Sequence, residues 1–440
     1  MDYGSIVFSS AKPSALRLLD PVHNSAIRLC TGAFRSSPVL SLYAESGEPS
    51  LNARRDLLML QYLARAQQLP NSPSCLSITQ QWPTTARRVR ESFGSRARET
   101  CARLHLTVQT TPIRFCNTPR WLLPLSVVCP GFMQGRKSDH STDGIKSLFL
   151  DHVNTCHRQC MHIYTDGSKD DGRVGCAAVS DAARSSLKLH GYSSIFTAEL
   201  YGILCAIAIA KESTDTKICI FSDSMSAIQA ILHYNSPHPL VTTIHRWLIR
   251  LSAHQKTITF CWVPGHVRVA GNEAADELSR NAAARETPHW NESVPHRDHY
   301  PLFRKKLLDE WQEEWTHLEN NKLRKIKEDI RPWPSSSHRV RRVEVCLTRH
   351  RIGHSRITHG HLMERAPAPY CMDCLVPQTV THFLCECPSY GDARRQFFPY
   401  LCQDNPDVNL KSILTQPERG NYNVDRLVEY LRAINAFDYI

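Results

Sequence analysis

The chain has 440 residues, 42% of them hydrophobic and 22% charged, with 53 Lys and Arg against 42 Asp and Glu, a net charge of +11 and a pI near 8.9. That length suits two or three domains with ordinary cores, and the basic excess suits a polyanionic partner. The composition fits a soluble globular protein and excludes a membrane-spanning one, because the apolar run Leu200–Ala210 is too short and ends at Lys211-Glu212.

Seventeen cysteines and 22 histidines are present. The start, "MDYGSIVFSSAKPSALRLLD", has no basic segment followed by an apolar one, so no secretory signal is expected. The cysteines are therefore read as free thiols plus a metal site in an intracellular protein, nuclear or cytoplasmic and not secreted. Asn-x-Ser at Asn291 then carries no meaning.

Residues 1–70 read as helical, with Leu57, Leu58, Leu60 and Leu63 beside basic positions. Residues 71–155 dissolve into Pro, Ser, Thr and Arg and read as an irregular linker. Residues 156–286 then show a compact α/β pattern. Strands are expected at Met161–Thr165, Gly175–Ser180, Leu187–His190, Thr216–Ser222 and Thr257–Val263. Leu200, Ile203, Leu204 and Ile207 mark one helical face, Ala227, Ile228, Ile231 and Leu232 a second, Ala274, Ala275 and Leu278 a third, and 241–253 is helical too. Three early strands followed by alternating helix and strand predict a mixed five-stranded sheet flanked by helices. Residues 287–340 form a charged helical connector, with helix over Leu302–Ile330 and a break at "RPWPSSSH". Residues 341–400 are basic and hold a small Cys/His module. Residues 401–440 end in helix, with Val424, Leu427, Val428 and Leu431 on one face.

Four carboxylates stand at element ends of the α/β region. Asp166, in "YTDGS", ends the first strand, where Asp-Gly is ordinarily turn chemistry. Glu199, in "FTAELYGIL", falls in the first turn of a helix capped near Thr197. Asp223, in "SDSM", ends another strand. Asp276, in "GNEAADELSR", lies in the first turns of a helix beginning near Asn272. Four such groups in one cleft would repel one another unless hard divalent cations join them. Two ions about 4 Å apart would activate water on one side and stabilise the leaving oxygen on the other, which is phosphodiester hydrolysis.

"YTDGS" (Tyr164–Ser168), "AEL" (Ala198–Leu200), "SDSM" (Ser222–Met225) and "WVPGHVRVAGNEAADELSR" (Trp262–Arg280), in this order and spacing, resemble the type 1 ribonuclease H family closely. The resemblance implies the ribonuclease H fold, cleavage of the RNA strand of RNA–DNA hybrids, and two Mg²⁺ or Mn²⁺ ions held by Asp166, Glu199, Asp223 and Asp276. It makes His266, after Pro264-Gly265, the mobile histidine that assists proton transfer and product release. Gly167 would let backbone approach the ribose, where the 2′-hydroxyl distinguishes RNA from DNA, and Ser168 would help grip the substrate. The family's polar residue before the helix glutamate is replaced here by Ile195-Phe196, which points to weaker substrate grip.

The flanks extend the resemblance. The N-terminal "DYGSIVFSSAKPSALRLLD…" looks like the region after the catalytic palm in reverse transcriptases of non-LTR retrotransposons; an amphipathic helical domain of other role fits as well. No Tyr-x-Asp-Asp box is present, since the one Asp-Asp pair, Asp170-Asp171, follows Ser-Lys, and polymerase activity is not expected. Cys371-x2-Cys374-x7-His382-x4-Cys387 has the spacing of a structural zinc site, with Cys385 as a competing ligand and unmetallated thiols as the alternative. It also looks like the zinc-binding tail behind the nuclease in such elements. Arg339, Arg341, Arg342, Arg349, Arg351 and Arg356, against the single acid Glu344, form a candidate phosphate-binding patch. Cys156, His157, Cys160 and His162 are set aside as a metal cluster, because the last two belong to the first strand.

The expected function is that of a retrotransposon ribonuclease H acting on RNA–DNA hybrids, with no membrane role and no stated oligomeric state. Two alternatives stand beside it: a nucleic-acid-binding fragment of a decayed element that no longer cuts, and a host ribonuclease H of genome maintenance.

Overall fold

A computed structural model describes residues 2–79, 92–114, 119–124, 126–128, 141–286, 289–290, 292–333, 338–399, 410–415 and 422–439. The chain divides into two compact units, one of residues 59–303 and one formed by 1–58 together with 304–440.

The unit 59–303 is built on a mixed sheet of β1 (Ser126–Val128), β2 (Met161–Asp170), β3 (Arg173–Val179), β4 (Arg184–Leu189), β5 (Lys217–Ser222) and β6 (Thr257–Trp262), in the order β1-β6-β5-β2-β3-β4. β2, β3 and β4 are antiparallel neighbours, while β2, β5, β6 and β1 run parallel. The five expected strands are present. β1 is additional, a three-residue strand whose Val128 stands opposite Cys261. It falls in the stretch expected to be irregular, which also contains helices Pro73–Thr79, Phe93–Arg103 and α1 (Thr142–Cys156).

Alternating burial sends one set of side chains to each face of the sheet. Ile163, Ile218, Ile220, Ile258 and Phe260 meet α2 (Ile195–Glu212), α3 (Met225–Leu232) and α4 (Pro239–Ala253) in one core. Cys219, Phe221 and Cys261 meet Ile145, Phe149 and Val153 of α1 in another. α5 (Ala270–Ala284) packs by small residues: a Cβ on Gly271 would lie 2.2 Å from the Tyr164 ring, which is itself stacked on Phe221.

Two local expectations are corrected. β2 does not end at Asp166. It continues to Asp170 and turns at Asp171-Gly172, both with left-handed φ, so Asp166-Gly167 is mid-strand and pairs with Ala177 and Cys176. Glycine is needed at 167 because a Cβ there would lie 2.6 Å from Glu199 N and 2.8 Å from Ala198 C. Secondly, α2 is capped by Ser194, whose hydroxyl accepts from Thr197 N–H, and Glu199 therefore lies in the second turn.

In the other unit the N-terminal helices Asp20–Thr31 and Val39–Ser46 share one apolar core with the C-terminal segments. Ile27, Leu42 and Tyr43 join Trp315, Leu347, Phe383, Leu427 and Leu431. The charged helix spans Tyr300–Thr316 and stops short of the expected Ile330. The last long helix is Tyr422–Ala433, and Val424, Leu427, Val428 and Leu431 are its buried face as expected. Among the described residues no helix is long and apolar enough to cross a membrane.

Candidate active site

Asp166, Glu199 and Asp223 converge, with one carboxylate oxygen from each lying within 4.8 Å of the others. Asp166 comes from the middle of β2, Glu199 from α2 on the far side of Gly167, and Asp223 from the residue following β5. With no side chain at position 167, α2 lies against the strand, and the Gly167 N–H donates to the Glu199 carboxylate. Asp166 Oδ2 accepts from Ser279 Oγ at 2.5 Å. Asp223 is held by the Asn272 side chain, and its backbone carbonyl accepts from Trp262 Nε1 at 3.1 Å.

This geometry works against ionisation. Burial pushes the Asp166 carboxyl up to about 7, with Asp223 and Asp276 adding to it and the Ser279 hydrogen bond opposing. Burial pushes Glu199 up to about 9, reinforced by Asp166 and Asp223. Asp223 is raised by burial too, against the pull of Asn272 and His266. Glu199 Oε2 is buried and has no hydrogen-bond partner. Three oxygen donors that cannot all ionise, one of them orphaned, fit a hard divalent cation.

The structure treats the remaining candidates differently. Asp276 stands outside the trio, and its two oxygens accept from Arg280 Nε and Nη2 at 3.0 and 2.8 Å. His266 is an exposed loop residue with φ 61°, and Arg268 has φ 57°. Val267 between them is buried, so the loop is pinned by its valine while the histidine projects. Gly167 serves the packing of α2 against β2; Ser168 is half-buried beside it. Ser279 and Arg280 carry no role in the sequence reading, and Asn272 appears there only as the start of the helix. Asn272, Asp276 and Ser279 follow i, i+4, i+7 along α5, a polar stripe that marks one helical face.

Cys371, Cys374, His382 and Cys387 also converge, with their donor atoms within 4.8 Å of one another. Cys387 Sγ lies 3.8 Å from both Cys371 Sγ and Cys374 Sγ. His382 Nε2 is buried and unpartnered, while its Nδ1 faces Glu386 at 3.6 Å. Leu375 adopts φ 57° and donates its N–H to Cys371 O, while Cys371 N–H donates to Val376 O, closing the turn between the first two cysteines. Cys385 lies outside the group, its thiol pushed up to about 12 by burial.

Of the arginines, Arg339, Arg341, Arg342 and Arg356 are exposed and Arg349 half-buried. Arg351 is a correction. It is 1% exposed, 3.7 Å from Glu45 and stacked over Trp333, so it is part of a core and unavailable to phosphate.

Residues 158–284 match the RNase H family. Over 122 residues, 27% of the chain, it is 31% identical to the Pol polyprotein of equine infectious anemia virus isolate 1369, and equally to that of isolate CL22. The match spans about a tenth of the length of these relatives. Residues 158–284, which supply all three converging carboxylates, form an RNase H domain within the longer chain.

Proposed function

We propose that the chain is a ribonuclease H of non-LTR retrotransposon origin that hydrolyses the RNA strand of RNA–DNA hybrids. The observation that carries this reading is the buried trio Asp166, Glu199 and Asp223 with Glu199 Oε2 unpartnered. When bound, Mg²⁺ or Mn²⁺ supplies an activated water and charge stabilisation at the leaving oxygen. The chain's own part is to hold Asp166 in place through Ser279, Asp223 through Asn272, and Glu199 through Gly167 N–H. Asp276, paired with Arg280 here, would be the fourth carboxylate and would help hold a second ion. His266, projecting from a pinned loop, moves a proton at the leaving group. The likeness to a retroviral Pol polyprotein supports an origin in a retroelement.

For the C-terminal module we propose a structural zinc site on Cys371, Cys374, His382 and Cys387, with Glu386 orienting the imidazole. Exposed Arg339 and its neighbours Arg341 and Arg342 would contact phosphate.

A labelled RNA–DNA hybrid incubated with the full chain and Mg²⁺ tests the nuclease. RNA-strand cleavage that Asp166→Asn abolishes is expected. Hybrid binding without cleavage would favour the inactive fragment, and unchanged cleavage by Asp166→Asn would overturn the site.

A further inference from the structure

On the face of the sheet opposite α2, a second set of metal-type donors comes together. One nitrogen each of His152 and His157 and the Cys261 sulfur lie within 4.8 Å of one another. His152 is on the last turns of α1, His157 is its C-terminal cap, and Cys261 is on β6. No sequence spacing marks this group, because His157 and Cys261 lie about a hundred positions apart. We propose that His152, His157 and Cys261 bind a borderline divalent metal of the zinc class, which fastens α1 to the sheet.

The donor set has the character of a built site. Cys261 is fully buried and His157 is 5% exposed. His157 Nε2 is buried with no hydrogen-bond partner, the kind of orphaned imidazole nitrogen that a metal satisfies. Its backbone is fixed from both sides: the N–H donates to Val153 O at 2.8 Å, and the carbonyl lies 2.9 Å from His162 Nε2. The walls are apolar, with Phe149, Val153 and Phe221. The Cys219 side chain hydrogen-bonds Cys261 from the adjoining strand, a second-layer contact to the sulfur.

Nitrogen and sulfur donors with no carboxylate among them select zinc-like ions over Mg²⁺. The fourth position falls to water or to Cys156, one turn beyond His152, its Sγ 3.8 Å from His152 Nδ1. His152 is only half-buried and Cys156 is exposed, which gives an ion a way in. Binding sends the Cys261 thiol proton to solvent and forms the metal–thiolate bond. Both histidines lie outside the matched segment 158–284, so the site belongs to this chain's own extension of the domain. Cys261 lies five residues before His266, and a clamp here would also steady the strand from which that loop leaves.

The test is a Co²⁺ and Zn²⁺ titration of the reduced, metal-free full chain, with a Cys371→Ser/Cys374→Ser variant as the background that lacks the C-terminal thiolates. That background is expected to keep one equivalent of tightly bound metal, with a cobalt spectrum of one or two thiolates and two imidazoles. Adding His157→Gln or Cys261→Ala should remove it. His152→Gln, at a half-buried helix position, should lower the metal content of the otherwise unaltered chain by one equivalent. It should also remove the rise in melting temperature that zinc gives the nuclease unit. Metal lost entirely with the C-terminal cysteines, or an equivalent with a thiolate-type cobalt spectrum surviving His152→Gln and Cys261→Ala, would overturn the proposal whatever the outcome at the C-terminal cluster or the carboxylate trio.

Discussion

Ser279 Oγ, on α5, donates to Asp166 Oδ2, on β2, at 2.5 Å, and lies 2.9 Å from the Asp276 carbonyl of its own helix. The hydroxyl ties the central carboxylate to the helix that packs across it, and fixes which Asp166 oxygen remains for a metal. A hydrogen bond to a charged group contributes about 1.5–3 kcal/mol. Ser279→Ala is therefore expected to slow hybrid cleavage about tenfold, with KM little changed, and to act much less severely than Asp166→Asn. Steady-state kinetics on a short hybrid checks this. A rate equal to wild type would mean the hydroxyl positions nothing.

Metal binding should depend on pH with a definite sign. Asp166 near 7 and Glu199 near 9 lie above their ordinary values. Their contribution to metal-free stability is therefore present at acid pH and is lost as pH rises through those values. Mg²⁺ needs the deprotonated forms, so its affinity should increase with pH, by about tenfold per unit for each proton displaced. The Mg²⁺-induced rise in melting temperature should be larger at pH 8.5 than at pH 6. Glu199→Gln should stabilise the metal-free domain at pH 8.5 and remove most of the Mg²⁺ response. Equal Mg²⁺ shifts at both pH values would contradict the protonated cluster.

How far the sequence revealed this depends on whether a signal was local. The strands β2 to β6 and the helices that flank them were legible because their apolar periods are long. β1 was not, since three residues carry no period, and its pairing with β6 is decided across more than 130 positions. Asp166-Gly167 reads in the sequence as the end of a strand, because Asp and Gly favour turns. Its packing constraint is the backbone of α2, thirty residues on, which sequence pattern does not display. Ser279 stands in the sequence as a single polar residue, although its spacing with Asn272 and Asp276 marks one helical face. The shared core of the N-terminal and C-terminal segments was beyond reach for the same reason as β1. Nothing near Glu45 announces that its partner is Arg351.

Gly167→Ala should separate packing from substrate contact. The added methyl would meet backbone atoms of Ala198 and Glu199 at 2.8 and 2.6 Å, and backbone cannot swing aside as a side chain does. Overpacking of this sort costs about 1–3 kcal/mol. Displacement of α2 would carry Glu199 away from Asp166, so the variant should lose Mg²⁺ affinity even without nucleic acid. Isothermal titration with Mg²⁺ alone reads this directly. Normal Mg²⁺ binding combined with poor hybrid binding would instead point to the ribose-contact role.

Arg351 and Arg339 should behave as opposites. Arg351 faces Glu45 with both side chains buried, and Trp333 Nε1 donates to Glu45 Oε2 at 2.7 Å. Removing one member of such a pair strands a buried charge and costs about 3–5 kcal/mol. Arg351→Ala should therefore unfold the unit of residues 1–58 and 304–440 at lower denaturant, and a Glu45→Gln/Arg351→Met double variant should recover much of the loss. Arg339→Ala, at an exposed site, should leave stability alone and weaken hybrid binding in a salt-dependent way. Denaturant melts and binding at two salt concentrations distinguish them; equal stability effects would defeat the assignment.

The proposed C-terminal zinc site makes the last prediction. Three cysteine sulfurs and an imidazole within 4.8 Å form a closed donor shell, and His382 Nε2 has no partner within the protein. The neighbouring His382 imidazole brings the Cys371 thiol down to about 6, while burial beside its neighbours pushes Cys374 up to about 12. Without metal, then, only part of the set is thiolate at neutral pH, and binding must release protons. The full chain should bind zinc at this cluster, with affinity that climbs as pH rises. Cys371→Ser/Cys374→Ser should lose that equivalent and loosen the turn at Leu375. Phe383 and Leu384, beside His382, sit in the core that the N-terminal helices share. Loss of zinc should therefore lower the melting transition of that whole unit, while the RNase H domain still cleaves a hybrid in Mg²⁺. Zinc content unchanged in the double variant would remove the site, and loss of cleavage along with zinc would show that the two units do not act separately.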